Sequence, residues 1–238
     1  MTLWHLARAV AETARISVPT LVEGLRGSLT PEQCDERLQL WSRRLLVQAG
    51  VTLRVEGLER APADETFVVM SNHQSHYDIP VMFQALRRRV RMVAKSELFK
   101  IPGWGPAMRA AGFVEVDRKD RVAAIQSLES AKHALTQGTS IWIAPEGTRG
   151  PGGKLLPFKQ GGFHLALSTG ARILPVSIDG TNKVLPAHGR YVTTGVEVRV
   201  VVSEPVAAQD YAPERRDELV ARVRHAIASN VASLTDKT

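Results

Sequence analysis

The chain has 238 residues, 44% of them apolar and 23% charged, with a formal net charge of +7. This length buries a core in one domain, and the basic balance points to an acidic partner such as a lipid surface. Aromatics at 5% leave no stacking array for single-stranded nucleic acid, the lone Cys34 excludes an intrachain disulfide and suits a reducing compartment, and no run approaches the roughly 20 apolar residues of a membrane span.

Residues 2–25 place Leu3, Leu6, Val10, Ala14, Val18, Leu21 and Leu25 at helical spacing, with Trp4 beside the stripe and Arg8, Arg15 and Arg26 on its flanks. Pro19 should kink or split this helix. Thr30 offers an N-cap and Pro31 a first helical position, opening a second amphipathic helix through Leu38, Trp41 and Leu45 to Gly50. Residues 1–50 therefore read as a helical hairpin. It either lies in a membrane interface or packs on the adjoining domain.

From residue 51 to 238 the pattern changes to strand–helix alternation. Strands are expected at 51–56, 66–71, 90–94, 113–116, 139–144, 172–178 and 194–202, and helices at 79–88, 104–111, 119–137, 161–170 and 213–233. This predicts an α/β domain: a central mixed sheet covered by helices on both faces. The run Arg87-Arg88-Arg89, with Arg91, is expected to be a solvated helix end, with docking of an acidic carrier or anionic headgroup as the lesser alternative.

Three stretches carry chemistry. The first is Asn72-His73-Gln74-Ser75-His76-Tyr77-Asp78, between the apolar run Phe67–Met70 and a helix start with Pro80 in its first turn. A strand that delivers His73, then a turn, then Asp78 at an N-cap would fix an Asp–His pair suited to general-base work. The competing readings are a capping contact, or a metal site of His73, His76 and Asp78, weak for lack of a fourth ligand. The second stretch, Gly112 to Arg118, ends a strand near a helix N-terminus, where a guanidinium binds an oxyanion or simply pairs with Asp117. The third, Pro145-Glu146-Gly147-Thr148-Arg149-Gly150, continues into Pro151-Gly152-Gly153-Lys154. It is a Gly-rich loop with a bidentate cation but no Walker ending.

Together these stretches resemble the lysophosphatidate and glycerol-3-phosphate acyltransferases, the family defined by a His-x4-Asp motif. Asn72-His73 to Asp78 matches the first block, Gly112 to Arg118 the second, Pro145 to Arg149 the third and Ile173-Leu174-Pro175-Val176 the fourth; Ala94-Lys95-Ser96-Glu97-Leu98 is similar to the segment between the first two. Ala144, Gly150 and His76-Tyr77 depart from the usual Phe, Ser and aromatic–aliphatic pair, which bears on the acyl or acceptor pocket.

The resemblance implies a fold and a mechanism. His73 would be the general base on an acceptor hydroxyl, oriented by Asp78, with direct attack on acyl-CoA or acyl-carrier protein and no covalent intermediate. Arg149, helped by Glu146, Gly147 and Thr148, would shape the acceptor site and hold its phosphate; Asn72, Lys95 and Arg118 would contribute to substrate binding. No cofactor or metal is implied. The expected reaction is sn-2 acylation of 1-acylglycerol 3-phosphate to phosphatidate, at the cytoplasmic face of an anionic membrane as a peripheral protein. Other lysolipids, lyso-ornithine lipid and glycerol 3-phosphate are alternative acceptors. A non-catalytic lipid- or anion-binding module is the rival from another class, and nucleic-acid binding is not expected.

Overall fold

The computed structural model describes residues 3–117, 121–189 and 191–231. Its organising element is Val68–Ser71 (β2), every residue of which is buried. A short apolar run without alternation belongs in the middle of a sheet covered on both faces. Around it lie Thr52–Glu56 (β1), Val90–Lys95 (β3), Val114–Val116 (β4), Ser140–Ile143 (β5), Ile173–Asp179 (β6) and Glu197–Val202 (β7). These strands form one sheet in the order β1-β7-β6-β2-β5-β3-β4. Each neighbouring pair is parallel except β6 and β7, which run antiparallel. All seven expected strands are present, with ends moved by at most three residues.

The helices are Leu3–Leu25 (α1), Pro31–Gln48 (α2), Asp78–Leu86 (α3), Ser96–Phe99 (α4), Trp104–Ala110 (α5), Arg121–Thr136 (α6), Gly161–Thr169 (α7), Thr181–Val184 (α8) and Arg216–Ala228 (α9). The one-turn helices α4 and α8 have no counterpart among the expected elements. One face of the sheet packs Val69, Trp142, Val198 and Val200 against Val81, Met82 and Leu86 of α3 and Leu38 and Leu46 of α2. The other packs Val68, Met70 and Ile173 against Leu135 of α6, Phe163 and Leu165 of α7, and Leu219, Val223 and Ile227 of α9.

The expected capping box opens α2: the Gln33 N–H donates to Thr30 Oγ1 and the Thr30 N–H to Gln33 Oε1. The expected break at Pro19 does not divide α1, which runs unbroken past it. Proline removes one helical hydrogen bond, but contacts to α2 hold both sides. Arg44 pairs with Glu12 at 2.9 Å and Trp41 Nε1 donates to Thr13, before the proline; Arg37 pairs with Glu23 at 2.7 Å and donates to Thr20, after it.

Of the arginine run only Arg87 is exposed to solvent; Arg88, Arg89 and Arg91 turn inward. Arg88 donates to the Ala61, Pro62 and Glu65 carbonyls and lies over the Phe67 ring. Arg89 pairs with Glu32 and Asp35 of α2, and the buried Arg91 with Asp35 at 2.6 Å. These cations bolt the end of α3 and the start of β3 to the hairpin and are not available to dock an acidic carrier.

Candidate active site

Strands β2, β5 and β3 are parallel neighbours, so the loops that leave them open on one edge of the sheet. The carboxyl edge of parallel strands is where open α/β sheets bind ligands. The loop after β2 carries His73 and runs into Asp78 at the start of α3, the loop after β5 carries Glu146 to Arg149, and Lys95 is the last residue of β3.

The His–Asp pair forms. His73 Nδ1 lies 2.6 Å from Asp78 Oδ2; the Asp78 side chain is fully buried, whereas 22% of the His73 side chain reaches solvent. Asp78 is the first residue of α3 and does not cap it. Its carboxylate turns back into the loop, where Oδ2 also accepts the N–H groups of Gln74 (2.7 Å) and Ser75 (2.9 Å). Oδ1 accepts the Thr181 hydroxyl at 2.5 Å. An oxygen met by backbone donors is an acceptor, so the proton between the pair belongs on His73 Nδ1. That leaves the Nε2 lone pair free to take a proton from a substrate. Four donors thus meet this carboxylate, and the described residues hold no cluster of three or more metal-binding side chains.

The backbone of His73 is held as firmly as its ring. Its N–H donates to Glu146 Oε1 at 2.8 Å, and its carbonyl accepts the Gly150 N–H at 2.9 Å. Glu146 Oε2 accepts the Leu156 N–H at 2.7 Å. Glu146 is therefore buried with both oxygens occupied, a clamp between the first and third motif stretches rather than a group lining the acceptor site. Burial pushes its carboxyl upward, partly offset by the two backbone donors.

Asn72 is likewise internal. Its carboxamide donates to the Ile178 carbonyl and accepts the Ile178 N–H, both at 2.8 Å, tying the loop to β6. Gly147 has φ 72°, which a side chain would strain, and its N–H closes a turn on Ala144. A Cβ at Gly150 would collide with the Lys154 carbonyl oxygen, which accounts for glycine where serine is common.

Thr148 is exposed and Arg149 half-buried. Most arginines of the fold sit in ion pairs or on carbonyls, but Arg149 has no ion-pair partner among the described residues, and neither has the exposed Lys95. Desolvation, then the Arg149 guanidinium, then His73 lower the pKa of His76, and Gly150, next in the chain to Arg149, donates its N–H to the His73 carbonyl. Arg118 lies outside the described residues.

Two features of this site were not legible in the sequence. Thr181 stands beyond the motif stretches, and only the path of β6 into α8 brings it to Asp78. Gln74, next to the base, is buried with neither end of its carboxamide hydrogen-bonded.

A family profile described as Acyltransferase matches residues 52–179. The 1-acyl-sn-glycerol-3-phosphate acyltransferase alpha of Homo sapiens is 36% identical over 179 residues, covering 75% of this chain and 63% of that protein. The chain thus spans a little under two thirds of that relative's length. The 1-acyl-sn-glycerol-3-phosphate acyltransferase of Salmonella typhimurium is 33% identical over 181 residues, covering 74% of this chain and 72% of that one. The crystal structure of the 1-acyl-sn-glycerophosphate acyltransferase from Thermotoga maritima superposes with a TM-score of 0.75 at 29% identity, covering 98% of this chain and 99% of that one.

Proposed function

This chain belongs to the acyltransferase family, and from that premise we propose that it transfers an acyl chain from acyl-CoA or acyl-carrier protein to the sn-2 hydroxyl of 1-acylglycerol 3-phosphate, giving phosphatidate. The observation that carries the reading is an imidazole with its Nδ1 proton held by a buried carboxylate and its Nε2 free, on a loop whose His73 carbonyl accepts the N–H of Gly150, the residue after Arg149, which has no ion-pair partner among the described residues. In the proposed reaction His73 Nε2 removes the hydroxyl proton as the oxygen attacks the thioester carbon. The tetrahedral intermediate collapses, the C–S bond breaks, and the proton passes from His73 to the departing thiolate. A module that only bound lipid would have no use for a basic nitrogen held in one tautomer. The deciding experiment measures thiol release with a colorimetric reagent and identifies the lipid product by mass spectrometry, across lysophosphatidate, other lysolipids and glycerol 3-phosphate. Thiol release with no acceptor acylated would leave only a thioesterase, and no release at all would sink the reading.

Arg149 is assigned the acceptor phosphate in this proposal. A charge-assisted hydrogen bond contributes about 1.5–3 kcal/mol, or roughly 10- to 150-fold in binding at 1.4 kcal/mol per decade. Arg149→Ala should raise KM for lysophosphatidate by about that factor and leave KM for the acyl donor within about twofold. Equal losses for both substrates would remove the phosphate from this residue.

The proposed setting is the surface of an anionic membrane on its cytoplasmic side. No helix among the described residues is long and apolar enough to cross a bilayer. The inner face of α1 is largely polar: beside Ile16, which packs on the core, Glu12, Thr13, Thr20 and Glu23 face the protein, where α2 satisfies them. Val10, Val18 and Leu25 face outward, 60%, 60% and 80% exposed, flanked by the exposed Arg8, Arg15 and Arg26. An outward apolar stripe with basic edges suits the headgroup–acyl boundary, and each cation adds on the order of 1 kcal/mol that salt screens. Intact protein should sediment with vesicles containing anionic lipid, and Val18→Glu with Leu25→Glu should abolish this without lowering Tm. Surface substitutions are the better probe, because deleting residues 1–50 would strip Leu38 and Leu46 from the core. Equal sedimentation of the parent and the double variant would detach α1 from the membrane.

A further inference from the structure

The loop that carries the base is almost fully accounted for. Ser71 Oγ donates to the Asn72 carbonyl and accepts from Trp142 Nε1. The Asn72 carboxamide is engaged at both ends by Ile178, and Ser75 Oγ donates to the Leu185 carbonyl and accepts the Tyr77 N–H. Both oxygens of Asp78 and of Glu146 are occupied. The exception among the buried polar side chains of this loop is Gln74, whose residue is 2% exposed and whose Nε2 and Oε1 have no hydrogen-bond partner. Leaving a buried amide unpaired is costly, and replacing it by an apolar group of similar shape removes the cost. A carboxamide left unpaired by the fold one residue from the base is open to a partner that the fold does not supply.

Acyl transfer offers such a partner. As the acceptor oxygen attacks, the thioester π pair moves onto the carbonyl oxygen, and a positioned N–H donor in a water-poor site stabilises that oxyanion. The donor's carbonyl carbon must come within about 3 Å of the hydroxyl that His73 deprotonates, so its oxygen enters the same space. We propose that the Gln74 carboxamide, unpaired within the fold beside His73, is completed by the acyl donor: Nε2 donates to the thioester carbonyl oxygen and strengthens that bond as the charge builds. When the intermediate collapses, the electron pair returns to the carbonyl, the C–S bond breaks, and the amide releases the product ester. This assignment rests on the acyl-transfer reading and adds the group that meets the developing charge.

The test uses full-length Gln74→Leu and Gln74→Met, which keep the side-chain volume without the amide. Thermal unfolding is measured beside kcat for transfer to lysophosphatidate and beside the Ki of an S-alkyl-CoA, a donor analogue with no carbonyl. The expected result is an unchanged or raised Tm, a kcat lowered about 100- to 1,000-fold as for loss of one oxyanion donor, and a Ki within about twofold of the parent. A kcat equal to the parent's in either folded variant would overturn the assignment. So would a Ki that rises in step with the loss of kcat, because the residue would then shape the pocket without touching the carbonyl. A lowered Tm in both variants would make the amide structural and overturn it as well. Absence of turnover in the parent would instead refute the acyl-transfer reading beneath it.

Discussion

Replacing His73 by alanine should lower acyl transfer by about a hundred- to ten-thousand-fold, the usual cost of losing a general base, in a protein that remains folded. The fold survives because the structural work at this position belongs to the main chain. The N–H that donates to Glu146 and the carbonyl that accepts from Gly150 persist in alanine. Only the bond from Nδ1 to Asp78 is lost, and that carboxylate keeps the N–H groups of Gln74 and Ser75 and the Thr181 hydroxyl. The stability cost should therefore be about one hydrogen bond to a charged group, roughly 1.5–3 kcal/mol. Thiol release measured beside thermal unfolding separates the two effects. If turnover stayed within tenfold of the parent in folded protein, the base would lie elsewhere, and His76, on the same loop, would be the next imidazole to replace.

Much of this site was legible in the sequence because short motifs encode local turns. Phe67–Met70 and Ile141–Ala144 are uninterrupted apolar runs that suit only central strands, so the residues after each run had to emerge at an edge of the sheet. The pairing of His73 with Asp78 was readable for the same reason: five residues apart, they need a turn, and the turn is there. Contacts between distant segments were not readable. Thr181 has no local signature connecting it to Asp78, and Glu146 sits in a stretch that reads as an anion loop, although its oxygens are held by the backbone of His73 and Leu156. Periodicity gave α1 an apolar stripe but not its direction, which the polar contacts to α2 decide. The run Arg87-Arg88-Arg89 with Arg91 likewise read as a solvated helix end, because a local charge run does not show that Glu32 and Asp35 stand opposite Arg89 and Arg91 or that three carbonyls meet Arg88.

The companion result concerns Asp78, where two substitutions should part company. Asp78→Ala removes the acceptor of the Gln74 and Ser75 N–H groups and of the Thr181 hydroxyl in a fully buried place. Each stranded donor costs about 1–3 kcal/mol, so this variant should lose the loop, several kcal/mol of stability and all measurable activity. Asp78→Asn has the same shape and one oxygen fewer. Turned with its carbonyl toward the loop, the amide still accepts from Gln74, Ser75 and His73 Nδ1, and its NH2 donates to Thr181 Oγ1, which changes from donor to acceptor. The imidazole then keeps the tautomer with Nε2 free, and what disappears is the negative charge that stabilises the imidazolium formed during transfer. The expected loss in kcat is about a hundredfold, near the lower end of the range for general-base defects, with a Tm close to the parent's. Activity and Tm for the two variants, measured side by side, test the arrangement. Near-parental turnover in Asp78→Asn would mean that the carboxylate charge contributes nothing to catalysis. A loss approaching ten-thousand-fold would mean that the amide sits the other way round, its NH2 against the backbone donors and the imidazole held in the wrong tautomer. In that case Tm should fall too, because the Gln74 and Ser75 N–H groups would then face a donor instead of an acceptor.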